Sequence, residues 1–234
     1  MKRTHDKFYL NENAKKVKES FVAVADVISR QKFSSIADVG CAAGAFPCYL
    51  KKRFPNNHVE GIEFLDSLLN KALADFPDIS FSKGNVLEKD SVTKKFDVIT
   101  MIGVLNIFDD FHTVLKNTLS WLNPKGRLIL HNLVSEYDVD VFIKYRQSSN
   151  NYVETELESG WNIISKKSLE LFAKENNSKL VSCENFSLKV DLPKQKDVMR
   201  SWTENNLSGN KDVFNALHIR QPLKIVVIQK LPKI

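Results

Sequence analysis

The period of the hydrophobic positions switches back and forth along the chain. Val17, Phe21, Val24, Ala25 and Ile28 fall at helical spacing and predict a helix over 10–31, which Asn11 or Asn13 can cap. Residues 35–39, Ser-Ile-Ala-Asp-Val, form a short apolar run that stops at Gly40 and predicts a buried strand. A helix follows over 45–54. The alternation then repeats. A strand is expected over 58–63 and a helix over 66–76, with Leu68, Leu69, Ala72 and Leu73 inward. Further on come a strand over 79–83, a weak helix near 88–94, a strand over 96–102, a helix over 110–122 and a strand over 127–132. Asn123-Pro124-Lys125-Gly126 stops the helix over 110–122. Strands that alternate with helices predict right-handed crossovers and a parallel sheet covered on both faces.

After Asn132 the alternation slackens. Residues 133–165 are polar and aromatic and end in a Ser-Gly-Trp turn. A helix is expected from Ser168 to Glu175, capped by Ser165 or Ser168, with strands over 180–190 and 223–230. No linker separates two cores, so one domain over 1–234 is expected. Its parts are a helical lead-in over 1–32 and insertions over 133–165 and 191–222.

Composition changes this picture little. The hydrophobic share is 43%, with 15 Phe, which excludes a chain disordered throughout. Cys41, Cys48 and Cys183 make neither a disulfide framework nor a CxxC metal pair, and a reducing, cytoplasmic compartment is expected. The first residues lack the apolar core of a secretory signal, and no run reaches the roughly 18 apolar residues of a membrane span. No His/Asp/Glu cluster at ligand spacing calls for a metal. Charge changes more. The net +6 is carried by the ends, +3 over 1–50 and +5 over 185–234, while 51–184 is net −2. A basic chain suits a nucleic-acid partner, but no compact basic run is present, and scattered charge is usually solvated surface.

The sharpest chemistry lies in Asp38-Val39-Gly40-Cys41-Ala42-Ala43-Gly44, between a strand and a helix. Small residues there let the main chain approach a ligand closely, and the helix start offers free N–H groups. Glu63 closes the next strand, where a carboxylate can accept both hydroxyls of a ribose. Turn and acid together point to a nucleoside-containing ligand. The competing interpretation is an ordinary strand–helix turn followed by a surface Glu.

This stretch resembles motif I of the class I S-adenosylmethionine-dependent methyltransferases, and the resemblance runs from about Ile36 to Lys230. Val59-Glu60-Gly61-Ile62-Glu63 is similar to the second family motif, whose acid holds the ribose of the cofactor. Lys83-Gly84-Asn85-Val86 matches the position where the family reads adenine. Phe96-Asp97-Val98-Ile99 with Gly103-Val104-Leu105 resembles the fourth-strand motif, and Leu122-Asn123-Pro124-Lys125-Gly126-Arg127-Leu128 the turn before the fifth strand. The resemblance implies S-adenosylmethionine as cofactor. Asp38, Gly40, Cys41, Ala42, Gly44, Glu63, Phe64, Asn85, Val86, Ile102 and Gly103 would bind it. It also implies an α/β, Rossmann-like, doubly wound seven-stranded sheet, mostly parallel with a reversed C-terminal strand and helices on both faces. Two positions depart from the pattern. Ala42 stands where Gly is frequent, which is tolerable at negative φ, and Asn85 stands where Asp is common.

The expected reaction is methyl transfer to a small-molecule acceptor, a sugar or another polar or anionic metabolite, by direct in-line displacement. His131, at the end of the fifth strand, is the candidate general base, against a structural role for the same ring. Asn132, Tyr145, Arg146 and Tyr152 are the candidate acceptor contacts, on a segment that in this family lines or lids the acceptor pocket. The leading residues His5, Phe8 and Tyr9 are expected either to cover the cofactor or to fray. The segment around Gln221-Pro222-Leu223 is similar to methyltransferases of sugar pathways, though without a sharp motif. An RNA or protein methyltransferase is the second reading, since Trp202 beside Arg200 could stack a base. A nicotinamide-dependent oxidoreductase shares the turn and the acid, but two consecutive C-terminal strands argue against it. A non-enzymatic relative of the fold is the third.

Overall fold

The computed structural model describes residues 8–11, 16–146 and 157–232. The first helix, α1, spans Glu19–Ser29 and starts later than its periodicity suggests. Lys18, in extended conformation, precedes it without a side-chain cap, while residues 8–10 form a separate 3-10 turn. Val17 is 53% exposed, so no buried face extends the helix backward. Of the two expected caps, Asn11 lies in that earlier turn and Asn13 outside the described residues.

The alternation then unfolds as the apolar runs require: β1 (Ser35–Val39), α2 (Ala45–Arg53), β2 (His58–Glu63), α3 (Asp66–Asp75), β3 (Ser80–Lys83), β4 (Phe96–Ile102), α4 (Phe111–Ser120) and β5 (Leu122–Ser135). The weak helix near 88–94 is a single 3-10 turn over Lys89–Ser91. The Asp110 carboxylate caps α4 by accepting from the Thr113 N–H at 3.0 Å. Strand β5 is longer than expected at both ends. Phe96 pairs with Leu122 but Val98 with Arg127, so Asn123-Pro124-Lys125-Gly126 bulge out of a continuous strand.

The rest of the chain holds β6 (Lys144–Tyr145), β7 (Glu158–Ser159), β8 (Ile164–Ser165), α5 (Lys166–Glu175), β9 (Ser178–Asn185), β10 (Trp202–Asn205), β11 (Lys211–Phe214) and β12 (Leu223–Lys230). Ser165 caps α5 through the Ser168 N–H. The expected strand over 180–190 ends early. Phe186 turns onto His131, and the Lys189 N–H donates to the Glu19 carboxylate at 2.8 Å. Residues 202–214, which show little periodicity, nonetheless form the antiparallel hairpin β10–β11.

The central sheet runs β3-β2-β1-β4-β5-β12-β9, with β8 pairing onto the end of β5. Strands β1 to β5 are parallel. Only β12 is reversed, antiparallel to both β5 and β9. Each face is covered. Phe21, Val24 and Ile28 of α1 and Phe46 and Leu50 of α2 pack on Ile36, Val98, Ile129 and Ile225. Val114 and Leu115 of α4 and Leu169 and Phe172 of α5 pack on Ile99, Leu128, Leu130 and Val226. Burying each of these side chains contributes roughly 1.5–3 kcal/mol. The chain crosses from one side of the sheet to the other between β1 and β4, which opens a crevice at their carboxyl ends.

Candidate functional site

Between β1 and α2 the backbone takes three left-handed residues in five: Gly40 (φ 71°), Ala42 (φ 49°) and Gly44 (φ 84°). The turn is drawn against β2. The Gly40 and Cys41 N–H groups both donate to the Ile62 carbonyl, at 2.8 and 3.2 Å. A Cβ on Gly40 would lie 2.5 Å from Cγ2 of Val104, so the turn is also pressed against the end of β4. Gly44 precedes α2 without a side-chain cap, which leaves first-turn N–H groups to other acceptors.

Ala42 overturns the expectation of a negative φ. A left-handed Ala costs about 1–2 kcal/mol, whereas glycine adds about 0.5–1 kcal/mol of chain entropy. Ala42→Gly is therefore expected to raise stability by about 0.5 kcal/mol, read from the urea unfolding midpoint.

Glu63 is 6% exposed and its carboxylate is held by main chain. Oε2 accepts from the Ala42 N–H at 2.8 Å, and Oε1 accepts from the Phe64 and Leu65 N–H groups at 2.8 and 2.9 Å. Phe64, next to it, leaves 54% of its surface exposed. Asn85 is turned into its own loop: its amide oxygen accepts from the Leu87 N–H and its amide nitrogen donates to Glu88. Val86 is buried, and its carbonyl accepts from the Asn117 amide. Beyond Ile102, Gly103 (φ 70°) donates its N–H to the His131 carbonyl at 2.8 Å, and apart from its two chain neighbours no heavy atom lies within 4 Å of where its Cβ would stand. An acceptor-only carboxylate, an exposed ring beside it, an uncapped helix start and an open flank at Gly103 fit a nucleoside ligand with an extended charged tail.

Asp38 lies deeper. It pairs in register with Thr100, whose hydroxyl donates to Oδ1 at 2.7 Å. Burial pushes its carboxyl up to about 7; the Thr100 hydrogen bond opposes this and the Glu63 charge adds to it. His131 is 7% exposed, edge-on to Phe186 with ring centres 4.7 Å apart, and its Nε2 has no hydrogen-bond partner. Burial pushes its pKa down to about 4, so the ring is neutral at physiological pH and a weak base.

These two groups tilt stability in opposite directions. Asp38 ionises near 4 unfolded, so its contribution is full below that and is lost as pH rises through about 7. His131 titrates near 6.5 unfolded, so its contribution is full above that and is lost as pH falls through about 4. Between about pH 4 and 6.5 the slopes oppose, each limited to about 1.4 kcal/mol per pH unit. Urea titrations at several pH values across that window are expected to show stability rising with pH in Asp38→Asn and falling with pH in His131→Gln.

The remaining candidates scatter. Asn132 faces away from His131, opposite Lys224, and is 2% exposed with neither amide atom hydrogen-bonded. Lys224 bonds instead to Glu136 and Asn185. The Tyr145 hydroxyl donates to Glu158 at 3.1 Å, Arg146 is exposed, and Tyr152 and His5 lie outside the described residues. Trp202 is 8% exposed and its indole N–H donates to Glu204, so it presents no face for stacking a base. Thr100 was not singled out by sequence, and Val104 only as part of the fourth-strand motif. Thr100 carried a signal, as a polar residue inside an otherwise apolar stretch of β4. Among the described residues no group of three or more His, Cys, Asp or Glu gathers to hold a metal, and no helix is long and apolar enough to cross a membrane.

A family model described as a methyltransferase domain matches residues 31–206. A tRNA U34 carboxymethyltransferase of Nautilia profundicola is 30% identical over 144 residues, 56% of this chain and 46% of that protein. A trans-aconitate 2-methyltransferase of Escherichia coli is 25% identical over 120 residues, 51% of this chain and 47% of that protein. The chain thus spans under half the length of these curated relatives. An S-adenosylmethionine-dependent methyltransferase from Clostridium acetobutylicum superposes with TM-score 0.58 at 14% identity, covering 98% of this chain and 96% of that one. An amino pentose methyltransferase from Micromonospora echinaspora gives TM-score 0.56 at 17% identity, covering 98% of each. At those identities the likeness establishes the fold.

Proposed function

The chain belongs to the class I S-adenosylmethionine-dependent methyltransferase family, and from that premise we propose that it transfers the cofactor's methyl group to a small polar or anionic metabolite by in-line displacement. The observation that carries this reading is the joint between the glycine turn and Glu63, closed by the 2.8 Å bond from the Ala42 N–H. Main-chain donors fix the carboxylate, so it meets ribose hydroxyls without reorganising. The Phe64 ring offers an adjacent face to adenine, and the α2 start and the flank of Gly103 leave room for the amino-acid tail. When bound, the cofactor supplies a methyl group on a sulfonium, whose leaving group is neutral. The protein's own work is therefore alignment and exclusion of water more than proton transfer.

His131 fits this division. It sits on the α1 face of β5, beside the carboxyl end of β4, and a neutral imidazole there serves as a hydrogen-bond partner to the acceptor. The described parts of the insertions, 136–146, 157–163 and 191–222, supply the acceptor side. Several relatives are named for trans-aconitate, which supports a small anionic acceptor. One is named for a tRNA nucleotide, and with the basic ends of the chain this keeps RNA as the second reading. The oxidoreductase alternative falls with family membership.

Calorimetric titration with S-adenosylhomocysteine is expected to show one saturable site. Labelled S-adenosylmethionine is expected to mark pooled small metabolites and not total RNA. Absence of S-adenosylhomocysteine binding overturns the cofactor reading; label in RNA, with binding that weakens steeply as salt rises, promotes the second.

A further inference from the structure

The side chain of Arg200 is only 17% exposed, yet its Nε and Nη2 are buried without hydrogen-bond partners. These two nitrogens share one edge of the guanidinium, the edge that delivers two parallel N–H bonds to a carboxylate. The rest of the group is well held. Its central carbon lies 3.5 Å from the Phe8 ring centre and 4.8 Å from that of Tyr9. Stacking on ring faces fixes the plane of the guanidinium and consumes no N–H. Asp197 Oδ2 stands 3.8 Å from Nε, close enough to balance charge and too far to bond. Its other oxygen accepts from the Met199 N–H at 3.0 Å. A buried charged edge with its plane fixed and its donors unfilled is costly unless something else fills it.

The surroundings tie this edge to the candidate site. Lys18 Nζ lies 5.7 Å from the Tyr9 ring centre and 5.5 Å from that of Phe21. Phe21 packs on Phe46, in the first turn of α2, with ring centres 4.8 Å apart. On the other side the Met199 carbonyl accepts from Asn215, which lines a small apolar pocket with Leu133, Trp161 and Ile163. Leu133 shares the α1 face of β5 with His131, by strand alternation. The leading segment and the late insertion thus meet at Arg200, the first linked through Lys18 to Phe21 of α1 and the second through Asn215 to Leu133 of β5.

We propose that Arg200 is the acceptor's anion-binding residue, taking a carboxylate of the substrate on its Nε/Nη2 edge beneath Phe8 and Tyr9. This rests on the methyl-transfer reading and adds the charged group that the acceptor carries. The test uses malonate and citrate as carboxylate probes, inorganic phosphate as the other anion, and S-adenosylhomocysteine as a separate measure of fold and cofactor site. In the wild type saturated with S-adenosylhomocysteine, malonate or citrate is expected to raise Tm saturably, and phosphate less. Arg200→Gln is expected to abolish the shift. Arg200→Lys keeps the charge but lacks the fork, and is expected to weaken it about tenfold. Both variants should keep wild-type affinity for S-adenosylhomocysteine. An equal carboxylate shift in wild type and Arg200→Gln overturns the proposal. So does a wild type that binds no carboxylate, or binds phosphate alone. Failure of the methyl-transfer reading would show separately, as no S-adenosylhomocysteine binding in the wild type, and the anion titrations without it would still decide on Arg200.

Discussion

Glu63→Gln is expected to weaken S-adenosylhomocysteine binding about 100-fold or more and to destabilise the free protein by about 2 kcal/mol. Both effects follow from the same three bonds. The carboxylate accepts from Ala42 on one oxygen and from Phe64 and Leu65 on the other. A glutamine of the same shape must aim its NH2 at one of these sets, leaving buried N–H groups facing a donor. Hydrogen bonds to a charged partner contribute about 1.5–3 kcal/mol each, and an orphaned buried donor costs about 1–3 kcal/mol. On the proposed reading, the substitution also replaces one of the two acceptor oxygens that would meet the ribose hydroxyls with a donor. Calorimetry measures the first effect and urea unfolding the second. A variant that loses the stability but binds S-adenosylhomocysteine as the wild type does would confine Glu63 to holding the turn.

Gly40→Ala is expected to lower stability by about 3 kcal/mol, a large part of the 5–15 kcal/mol typical of a folded protein. Two causes add. The position has φ 71°, which costs an alanine about 1–2 kcal/mol. Its Cβ would also stand 2.5 Å from Cγ2 of Val104, a stiff branched side chain, and such overpacking costs about 1–3 kcal/mol. The lost freedom of the unfolded chain returns about 0.4–1 kcal/mol. A double-mutant cycle with Val104→Ala separates the causes. Relief of the clash should appear as a favourable coupling of about 1–2 kcal/mol, with the φ term untouched. A coupling near zero would mean that the end of β4 moves aside freely.

The first half of the fold was legible because apolar runs of strand length end there at small or acidic residues. Ser35–Val39 before Gly40 and His58–Glu63 before an exposed Phe64 can be read almost residue by residue. Where distant pairing decides, the sequence was less informative. Asn132 looked like a strand end, but Leu133 pairs with Leu223 and Val134 with Ile164, and β5 runs on. The hairpin over 202–214 lacks a clean alternation. Its turn signal was nonetheless present: Gly209 has φ 75°, and the Asn206 side chain accepts from two main-chain N–H groups. The turn and the acid, both legible in sequence, are joined in the structure by the bond from the Ala42 N–H to Glu63. The proposed acceptor side was not legible, because Arg200 and Phe8 are far apart in sequence and meet only in the folded chain.

The reversed β12 has a consequence for how the chain is made. It is the last of the described strands, yet it sits between β5 and β9 rather than at the rim. On a ribosome, about 95 residues separate the end of β5 from the end of β12, a delay of roughly 5–20 s at ordinary synthesis rates. In that interval the apolar Leu128-Ile129-Leu130 edge of β5 lacks its β12 neighbour, and in the second half of it β9, which runs in the same direction as β5, has already been made. A nascent chain can therefore close the sheet out of turn, with β9 occupying the place of β12. The slot that β12 must enter is thus open to a wrong occupant for as long as β12 is unmade.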